Sequence, residues 1–437
     1  MSRRTLKELH ADRIHQDKLA VRVAVINLGC VRNTVDSQSM MGTFERKGHA
    51  LSSVDHADVV VVNTCGFIED AKKESLDTIV ELLDLKKQGR IKKVIVAGCL
   101  AQRYAKDLLK EFKDVDAFMG VQSLSREALQ AAPYLTPPHY AYVKICESCF
   151  NACSFCAIPG IKGKFASRNL EAVLADVKHL SERGVREINV VGQDVTAYGL
   201  DIYRRKALAD LLKKMVDVVG PQVWLRLLYL HPAHITDELL DVIASEPRVC
   251  KYLDIPLQHV STSILKAMNR KMTYASTVAL VDKIRRRIPG AFLRTTFIVG
   301  FPGETRKDFD QLLKFIETHP FERVGVFMYS REEGTAAYDL PGRVPAAVAR
   351  RRYERIMQAQ QAVSARLNAR FIGQTFKVLI EERVKDEMTH YMGRSEFDAP
   401  DVDGVVHVRT VKPLRIGEFA MVRVTGSMEY DLEGDAV

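Results

Sequence analysis

The sequence predicts an α/β chain in three parts: an N-terminal parallel α/β domain, a central partial (β/α)6 barrel and a small C-terminal β-barrel. Three observations carry that reading. Apolar runs of strand length alternate with amphipathic helical stretches from residue 21 to about 330, the pattern of parallel sheets. AAPYLTPPHY (131–140), with three prolines, interrupts the alternation and reads as a linker. Beyond an arginine-rich helix at 341–370, short strands follow between Gly- and Asp-rich turns, the texture of a small β-barrel. The expected domain boundaries are 21–132, 136–366 and 370–437.

The elements follow in order. VRVAVIN (21–27) is a buried-strand run, with a helix expected from about Val35. VVVVNT (59–64) is the next strand, and EDAKKESLDTIVELLDLKK its helix. KKVIVAG (92–98) is the third, followed by helical QRYAKDLLKEF. The middle segment repeats this rhythm six times, with strands AYVKIC (141–146), EINVVGQ (187–193), VWLRLLYL (223–230), KYLDIPLQH (251–259), FLRTTFIVG (292–300) and RVGVFMYS (323–330). Helices such as EAVLADVKHLSER and TRKDFDQLLKFIETH lie between them. Six βα units favour a barrel or partial barrel with its chemistry at the C-terminal strand ends. A doubly wound sheet is the alternative. In the tail, FKVLIEE, GVVHVRT and EFAMVRVTG are strands.

Composition narrows the function. At 47% hydrophobic and 27% charged residues, the chain is ordinary globular material. No apolar run approaches the ~18 residues of a spanning helix, so no membrane role is expected. The N-terminal MSRRTLKELHADRIHQ is charged and lacks a secretory stretch. A cytoplasmic location is expected. Eight cysteines among 437 residues are too few for a disulfide scaffold, and reduced thiols point towards metal or catalysis. A net charge of +9 permits a nucleic-acid or ribosomal partner. No P-loop, G-x-S-x-G, H-E-x-x-H or paired-carboxylate signature appears, which disfavours the usual hydrolases and NTPases.

The strongest local signal is Cys149-Phe-Asn-Ala-Cys153-Ser-Phe-Cys156, a C-x3-C-x2-C run after the first barrel strand. Three close thiolates can bind three irons of a [4Fe–4S] cluster and leave the fourth open for substrate. The alternative is structural zinc, for which Cys146 would supply a fourth thiolate. Cys146 ends a strand whereas the other three lie in a loop, which favours the cluster. Cys30, Cys65 and Cys99 form a second set. Each follows an N-terminal strand by one to three residues, so in a parallel sheet they emerge at one edge, where ligands bind. Their bland alternative is three buried thiols. Cys250 reads as core. Gly192-Gln193-Asp194, Gln258-His259 and Ile298-Val-Gly300-Phe-Pro-Gly303-Glu304 end the second, fourth and fifth barrel strands. Each is equally a turn or a satisfied core group.

These residues resemble the radical S-adenosylmethionine (SAM) methylthiotransferases. The C-x3-C-x2-C run opening a six-unit barrel looks like the radical-SAM signature. LGC (28–30), NTCGFI (63–68) and GCLAQRY (98–104) resemble the family's N-terminal domain, and the tail resembles a TRAM domain. LGCVRNTVDSQSM, YLDIPLQHVSTSILKAMNR and GRSEFDAPDVDG are similar to the branch that modifies ribosomal protein S-twelve; the tRNA-modifying branch usually shows GCQMN and PVQSG where this chain has GCVRN and PLQHV. Two departures stand out: Ser148 replaces the family's usual glycine, and Lys162 its usual arginine.

The resemblance implies methylthiolation at the β-carbon of an aspartate on S-twelve, free or in the small subunit. It implies two [4Fe–4S] clusters. Cys149, Cys153 and Cys156 would hold the one that binds SAM, and Cys30, Cys65 and Cys99 the one that carries the sulfur. Gln193, Gln258 and Gly300 would line the SAM pocket. A donor such as flavodoxin or ferredoxin would supply electrons. The rivals are a tRNA methylthiotransferase, an electron-transfer protein and a zinc-stabilised RNA-binding module.

Charge adds a further expectation. Residues 371–437 hold 8 Lys+Arg against 13 Asp+Glu. Glu396, Asp398, Asp401 and Asp403 cluster in one loop, which reads as an acidic surface that steers a basic ribosomal protein, the alternative being a solvated surface that aids solubility. The helix at 341–370, with seven Arg against Glu354 alone, would face ribosomal RNA.

Overall fold

Val59–Thr64 opens with four consecutive valines because helices cover both faces of the sheet it belongs to. The computed structural model describes residues 20–121, 124 and 126–437; the charged N-terminal stretch lies outside the described residues. The chain forms two compact units. The first comprises the chain up to Leu135 with Ala157–Phe165 and Glu332–Gly334, and the second comprises the rest.

In the first unit, β1 (Arg22–Asn27), β2 (Ala50–Leu51), β3 (Val59–Thr64), β4 (Lys93–Gly98) and β5 (Ala117–Met119) form one parallel sheet in the order β2-β1-β3-β4-β5. Val60, Val62, Val94 and Val96 face Ile79 and Leu82 of the helix Glu69–Lys87. Val23, Val61 and Ile95 face Met40 of the helix Val31–Arg46. That helix starts four residues before the expected Val35, because extended Cys30 is its N-cap (φ −90°, ψ 167°). QRYAKDLLKEF is split, at Tyr104, between helices Cys99–Arg103 and Ala105–Glu111. β2 and β5, of two and three residues, are too short to leave a periodic signal.

The second unit begins with β6 (Tyr140–Lys144), β7 (Cys146–Glu147), β8 (Ala166–Ser167), β9 (Glu187–Val191), β10 (Trp224–Leu227), β11 (Val249–Asp254), β12 (Phe292–Val299) and β13 (Arg323–Met328). Six of these form a parallel sheet in the order β13-β12-β11-β10-β9-β6. The order follows the chain with no reversal, so the sheet is a partial barrel and the doubly wound alternative falls. AYVKIC is not one strand: β6 ends at Lys144, and Cys146 opens β7, which pairs antiparallel with β8. Cys250 is buried in β11.

The C-terminal strands β14 (Thr375–Arg383), β15 (His390–Ser395), β16 (Val406–Arg409), β17 (Phe419–Ser427) and β18 (Leu432–Ala436) close a barrel in the order β14-β15-β16-β18-β17. Val378, Ile380, Val406, Val408, Val422 and Val424 fill it. β15 and β18 (HYMGRS, LEGDA) hold too few branched apolar residues to stand out as strands.

The acidic loop does not form a steering surface. Most of it packs against side chains of the partial-barrel strands, although Asp401 keeps an exposed side. Asp398 is buried and pairs with Arg323 at 2.9 Å. Asp403 accepts from Arg294 at 3.2 Å and from the Tyr252 hydroxyl at 2.6 Å. Asp401 accepts from the hydroxyls of Tyr140 and Tyr142, both at 3.2 Å. Glu396 accepts the Lys251 N–H at 3.0 Å, and its carbonyl accepts from Arg226 at 2.7 Å. The physical reason is the arginines within β10, β12 and β13: Arg294 and Arg323 take Asp403 and Asp398 as anionic partners, while Arg226, paired with Glu187, donates to the loop's Glu396 carbonyl.

Candidate functional site

In the first unit, Asn27, Asn63 and Ala97 lie in register on β1, β3 and β4. Cys30, Cys65 and Cys99 follow them by two or three residues, and all emerge at the C-terminal edge of the sheet. The three thiols feel one another electrostatically. A Cβ on Gly29, whose φ is +91°, would lie 2.8 Å from the Cys65 Cβ, so only glycine lets the Cys30 turn pass Cys65. Gly98, at φ +93°, is as tightly held against Asn63 and Thr64.

Buried polar groups fix this edge. Asn33 donates to the Leu28 carbonyl at 2.8 Å, and Asn63 donates to the Asn33 carbonyl at 3.1 Å and to Ser37 Oγ at 2.9 Å. Arg103 donates to the Gly66 carbonyl, just after Cys65, at 2.8 Å and pairs with buried Glu332 at 2.9 Å. Lys162 pairs with Asp36 at 3.2 Å, both side chains buried, so the family's arginine is replaced here by a simpler point charge. Burial pushes the Cys99 thiol up to about 12, with Lys162 opposing it. At Cys30 burial is outweighed by Arg32 and by the N–H groups of Asn33 and Arg32, and the thiol is held below its ordinary range.

In the second unit, Cys149, Cys153 and Cys156 occupy a loop at the C-terminal edge of the partial barrel. Cys156 N–H donates to the Cys153 carbonyl at 3.1 Å, which closes a turn. Ser154 anchors the loop on the helix Thr262–Ala267: its N–H donates to Met268 O at 3.0 Å and its hydroxyl to Ala267 O at 2.7 Å. Asn269 donates to Ala152 O at 2.7 Å. Donors point at the sulfurs themselves. The Asn151 N–H and side-chain amide lie 3.4 and 3.6 Å from Cys149 Sγ, and Arg270 Nη1 lies 3.6 Å from Cys153 Sγ. Three thiols in one loop, met by N–H donors, suit an iron–sulfur cluster whose charge such donors offset. Ser148 is buried with φ +62°, so it keeps the left-handed backbone that glycine adopts freely.

Cys146 stands apart. Its buried thiol donates to the Asp194 carbonyl at 3.5 Å, and a Cβ on Gly192 would lie 2.4 Å from its Sγ. Burial raises its pKa far above the ordinary range.

The strand ends bring Gln193 and Asp194 (after β9), His231 and His234 (after β10) and Gln258 (after β11) to the edge that carries the cysteine loop. Asp194 accepts from Asn151 at 2.7 Å and from His234 Nδ1 at 2.8 Å, and also from Thr196. Its carboxyl is held below the usual range: burial opposes this, but the His234 hydrogen bond and His231 outweigh it. Burial, aided by Arg270, pushes His231 down to about 3, so it is neutral. Gln193 donates to Glu147 at 3.4 Å. Gln193 Oε1 and His231 Nε2 are buried with no hydrogen-bond partner among the described residues, polar atoms available to a ligand at this edge. Gln258 has φ +71° and bridges β12 through Thr296 O and the Ile298 N–H, each at 2.7 Å. Gly300 has φ +77°, and a Cβ there would lie 2.6 Å from Ala349 Cβ. Its N–H donates to buried Glu304. The sequence reading missed Asn33, Asn63, Arg103, Asn151 and Arg270, although each lies inside or within a few residues of a cysteine motif or a quoted family stretch.

Family models match the chain in three segments: "Uncharacterized protein family UPF0004" at 22–120, "Radical SAM superfamily" at 143–316 and "TRAM domain" at 372–437. A protein of Pelotomaculum thermopropionicum named "Ribosomal protein uS12 methylthiotransferase RimO" is 43% identical, over 96% of this chain and all of that one. The protein of the same name from Clostridioides difficile is 42% identical, over 95% of this chain and 99% of that one. This chain belongs to the RimO family. Like other RimO proteins it is a radical SAM methylthiotransferase, and the radical-SAM match contains Cys149, Cys153 and Cys156. The fold extends to a solved radical SAM methyltransferase, TsrM from Kitasatospora setae, with TM-score 0.54 and 14% identity over 73% of this chain and 74% of that one. RimO membership implies SAM and [4Fe–4S] as cofactors. Among the described residues, no helix is long and apolar enough to cross a membrane.

Proposed function

We propose that this enzyme methylthiolates the β-carbon of an aspartate on ribosomal protein S-twelve, using two [4Fe–4S] clusters and SAM. The observation that carries this is the placement of two three-cysteine sets at the C-terminal edges of two parallel sheets, in a chain similar to RimO along its whole length. When bound, the clusters and SAM supply a radical route to a C–H bond too weakly acidic for a side-chain base, together with the sulfur and the methyl group.

The chain's own residues do the rest. Cys149, Cys153 and Cys156 would hold the cluster that binds SAM. Cys30, Cys65 and Cys99 would hold the other. Asn151 and Arg270 hydrogen-bond the cysteine sulfurs, and Asp194 fixes Asn151. Gln193, Gln258 and Gly300 line the SAM pocket, where Gln193 offers its unpartnered oxygen. The domains divide as 21–132, 136–366 and 370–437. A flavodoxin or ferredoxin in the cytoplasm supplies electrons.

The test is incubation of the reconstituted enzyme with SAM, reductant and sulfide beside S-twelve, small subunits and unmodified tRNA, followed by mass spectrometry. Addition of a methylthio group to one S-twelve aspartate is expected. Modification of tRNA alone would overturn the reading.

A further inference from the structure

We propose that the outer face of the helix Ala346–Asn368 docks on the phosphate backbone of ribosomal RNA, so that the enzyme meets its substrate on the assembled small subunit. This rests on the reading of S-twelve as substrate. The inner face of the helix is fixed by burial of Ala349, Arg352, Ile356, Gln360, Val363 and Leu367. Arg351, Arg355 and Arg366 are exposed on the opposite side. At 3.6 residues per turn these three fall within a strip roughly 60° wide, and at 1.5 Å per residue they span about 22 Å. Gln358 and Ala362 are exposed along the same strip and add no negative charge to it, and exposed Arg350 and Arg370 flank it.

The bland reading is a solvated charged face. Lack of a partner alone does not argue against it: exposed Arg22, Arg90, Arg205 and Arg287 have carboxylate partners, whereas exposed Arg46, Arg204, Arg286, Arg383, Arg409 and Arg423 have none among the described residues. What distinguishes this helix is that three unpaired arginines fall on one strip of a single face. Arg352, facing inward on this same helix, pairs with Glu304 at 3.2 Å. Among the described residues, Arg350, Arg351, Arg355, Arg366 and Arg370 form no ion pair, and Glu354 is the helix's single carboxylate. Unpaired guanidinium forks along one helix face suit phosphate, which they bind in bidentate fashion. A basic ribosomal protein would be repelled by this face. The C-terminal barrel, with its excess of carboxylates, is the poorer place for phosphate contact.

The test compares the cluster-loaded full chain with its R351Q/R355Q/R366Q variant. Binding to purified small subunits, to the RNA and the proteins extracted from them, and to tRNA is measured by sedimentation from roughly 50 to 200 mM salt, where phosphate contacts weigh most. The variant is expected to lose about two to three units of log–log salt slope on both, near one per phosphate contact. It should methylthiolate free S-twelve as the parent does. A parent-like slope on the subunit overturns the proposal, as does an equal loss of binding to extracted ribosomal proteins. A loss confined to tRNA overturns the ribosomal assignment. If the parent modifies neither free nor subunit-borne S-twelve, the substrate reading fails, while the slopes still decide the docking face.

Discussion

Arg323, the first residue of β13, donates to Asp398 of the C-terminal barrel across 2.9 Å, with both side chains buried. Asp398 also accepts from Ser395 Oγ at 2.7 Å, and Arg323 donates to the Tyr430 carbonyl at 2.9 Å. Arg226 and Arg394 converge on Glu187, each at 2.6 Å, in the same junction. Carboxylates from the loop and strand thus answer arginines that would otherwise be buried alone, and the small barrel is fastened to the partial one by charge as well as by apolar contact. Removing one member leaves an uncompensated charge, which costs far more than the intact pair contributes.

Asp398→Ala is therefore expected to lower stability by about 3–5 kcal/mol. Thermal unfolding followed by circular dichroism measures this. A steering role would instead leave the melting midpoint unchanged and alter only the salt dependence of substrate turnover.

Glu187 gives the junction a pH dependence. Burial opposes its ionisation, but Arg394 and Arg226 outweigh it, and its carboxyl titrates below the ordinary value. The unfolded chain then binds the proton more readily than the folded one, so the stabilisation is present above the ordinary carboxylate range and lost as pH falls through the folded value. Asp398 works in the opposite sense, because burial raises its carboxyl despite Arg323. Glu187→Gln should lower the neutral-pH melting midpoint and flatten its decline on acidification. An unchanged acid limb would show that Glu187 is not the group responsible.

The placement of the two cysteine sets was legible because their cysteines follow strand ends, and β1, β3, β4 and β6 announce themselves as apolar runs. The sequence disclosed six barrel strands for the same reason. The loop at 396–403 was misread because its meaning depends on distant residues. Four carboxylates in one short loop look solvated until Arg294 and Arg323 are seen to pair with Asp403 and Asp398, the hydroxyls of Tyr140 and Tyr142 with Asp401, and the Lys251 N–H with Glu396. A hint was present, since Arg294 and Arg323 each lie in a strand that is otherwise largely apolar. β15 and β18 were illegible because barrel closure, not side-chain pattern, makes them strands.

The two cysteine sets should be separable. Replacing Cys149, Cys153 and Cys156 by Ala is expected to abolish SAM cleavage and remove about half of the reconstituted iron, one of two four-iron clusters. Replacing Cys30, Cys65 and Cys99 should remove a similar share, stop sulfur insertion and leave SAM cleavage measurable. Cys146→Ser should keep the parent's iron and visible spectrum, because its thiol is spent on the Asp194 carbonyl. Iron and sulfide assays with product analysis check all three. Parental iron in either triple variant, or a bleached spectrum in Cys146→Ser, would undo the assignment.

The last expectation concerns the donors beside the barrel cysteines. Arg270 places a positive charge 3.6 Å from Cys153 Sγ, and it is held there by its second bond, to Pro256 O at 2.6 Å. Asn151 reaches Cys149 Sγ through both its backbone and side-chain N–H, and Asp194 fixes the side chain from behind. Reduction adds negative charge to the cluster, so donors and cations at the sulfurs favour the reduced state. Arg270→Gln should lower the midpoint potential by on the order of 60 mV, the one-electron equivalent of about 1.4 kcal/mol. Asn151→Ala should lower it by less, since its backbone N–H remains. Both variants should keep parental iron content, because neither replaces a ligand. Redox titration followed by electron paramagnetic resonance reads the potential directly. A shift to higher potential in Arg270→Gln would mean that its charge acts elsewhere than on the cysteine sulfur.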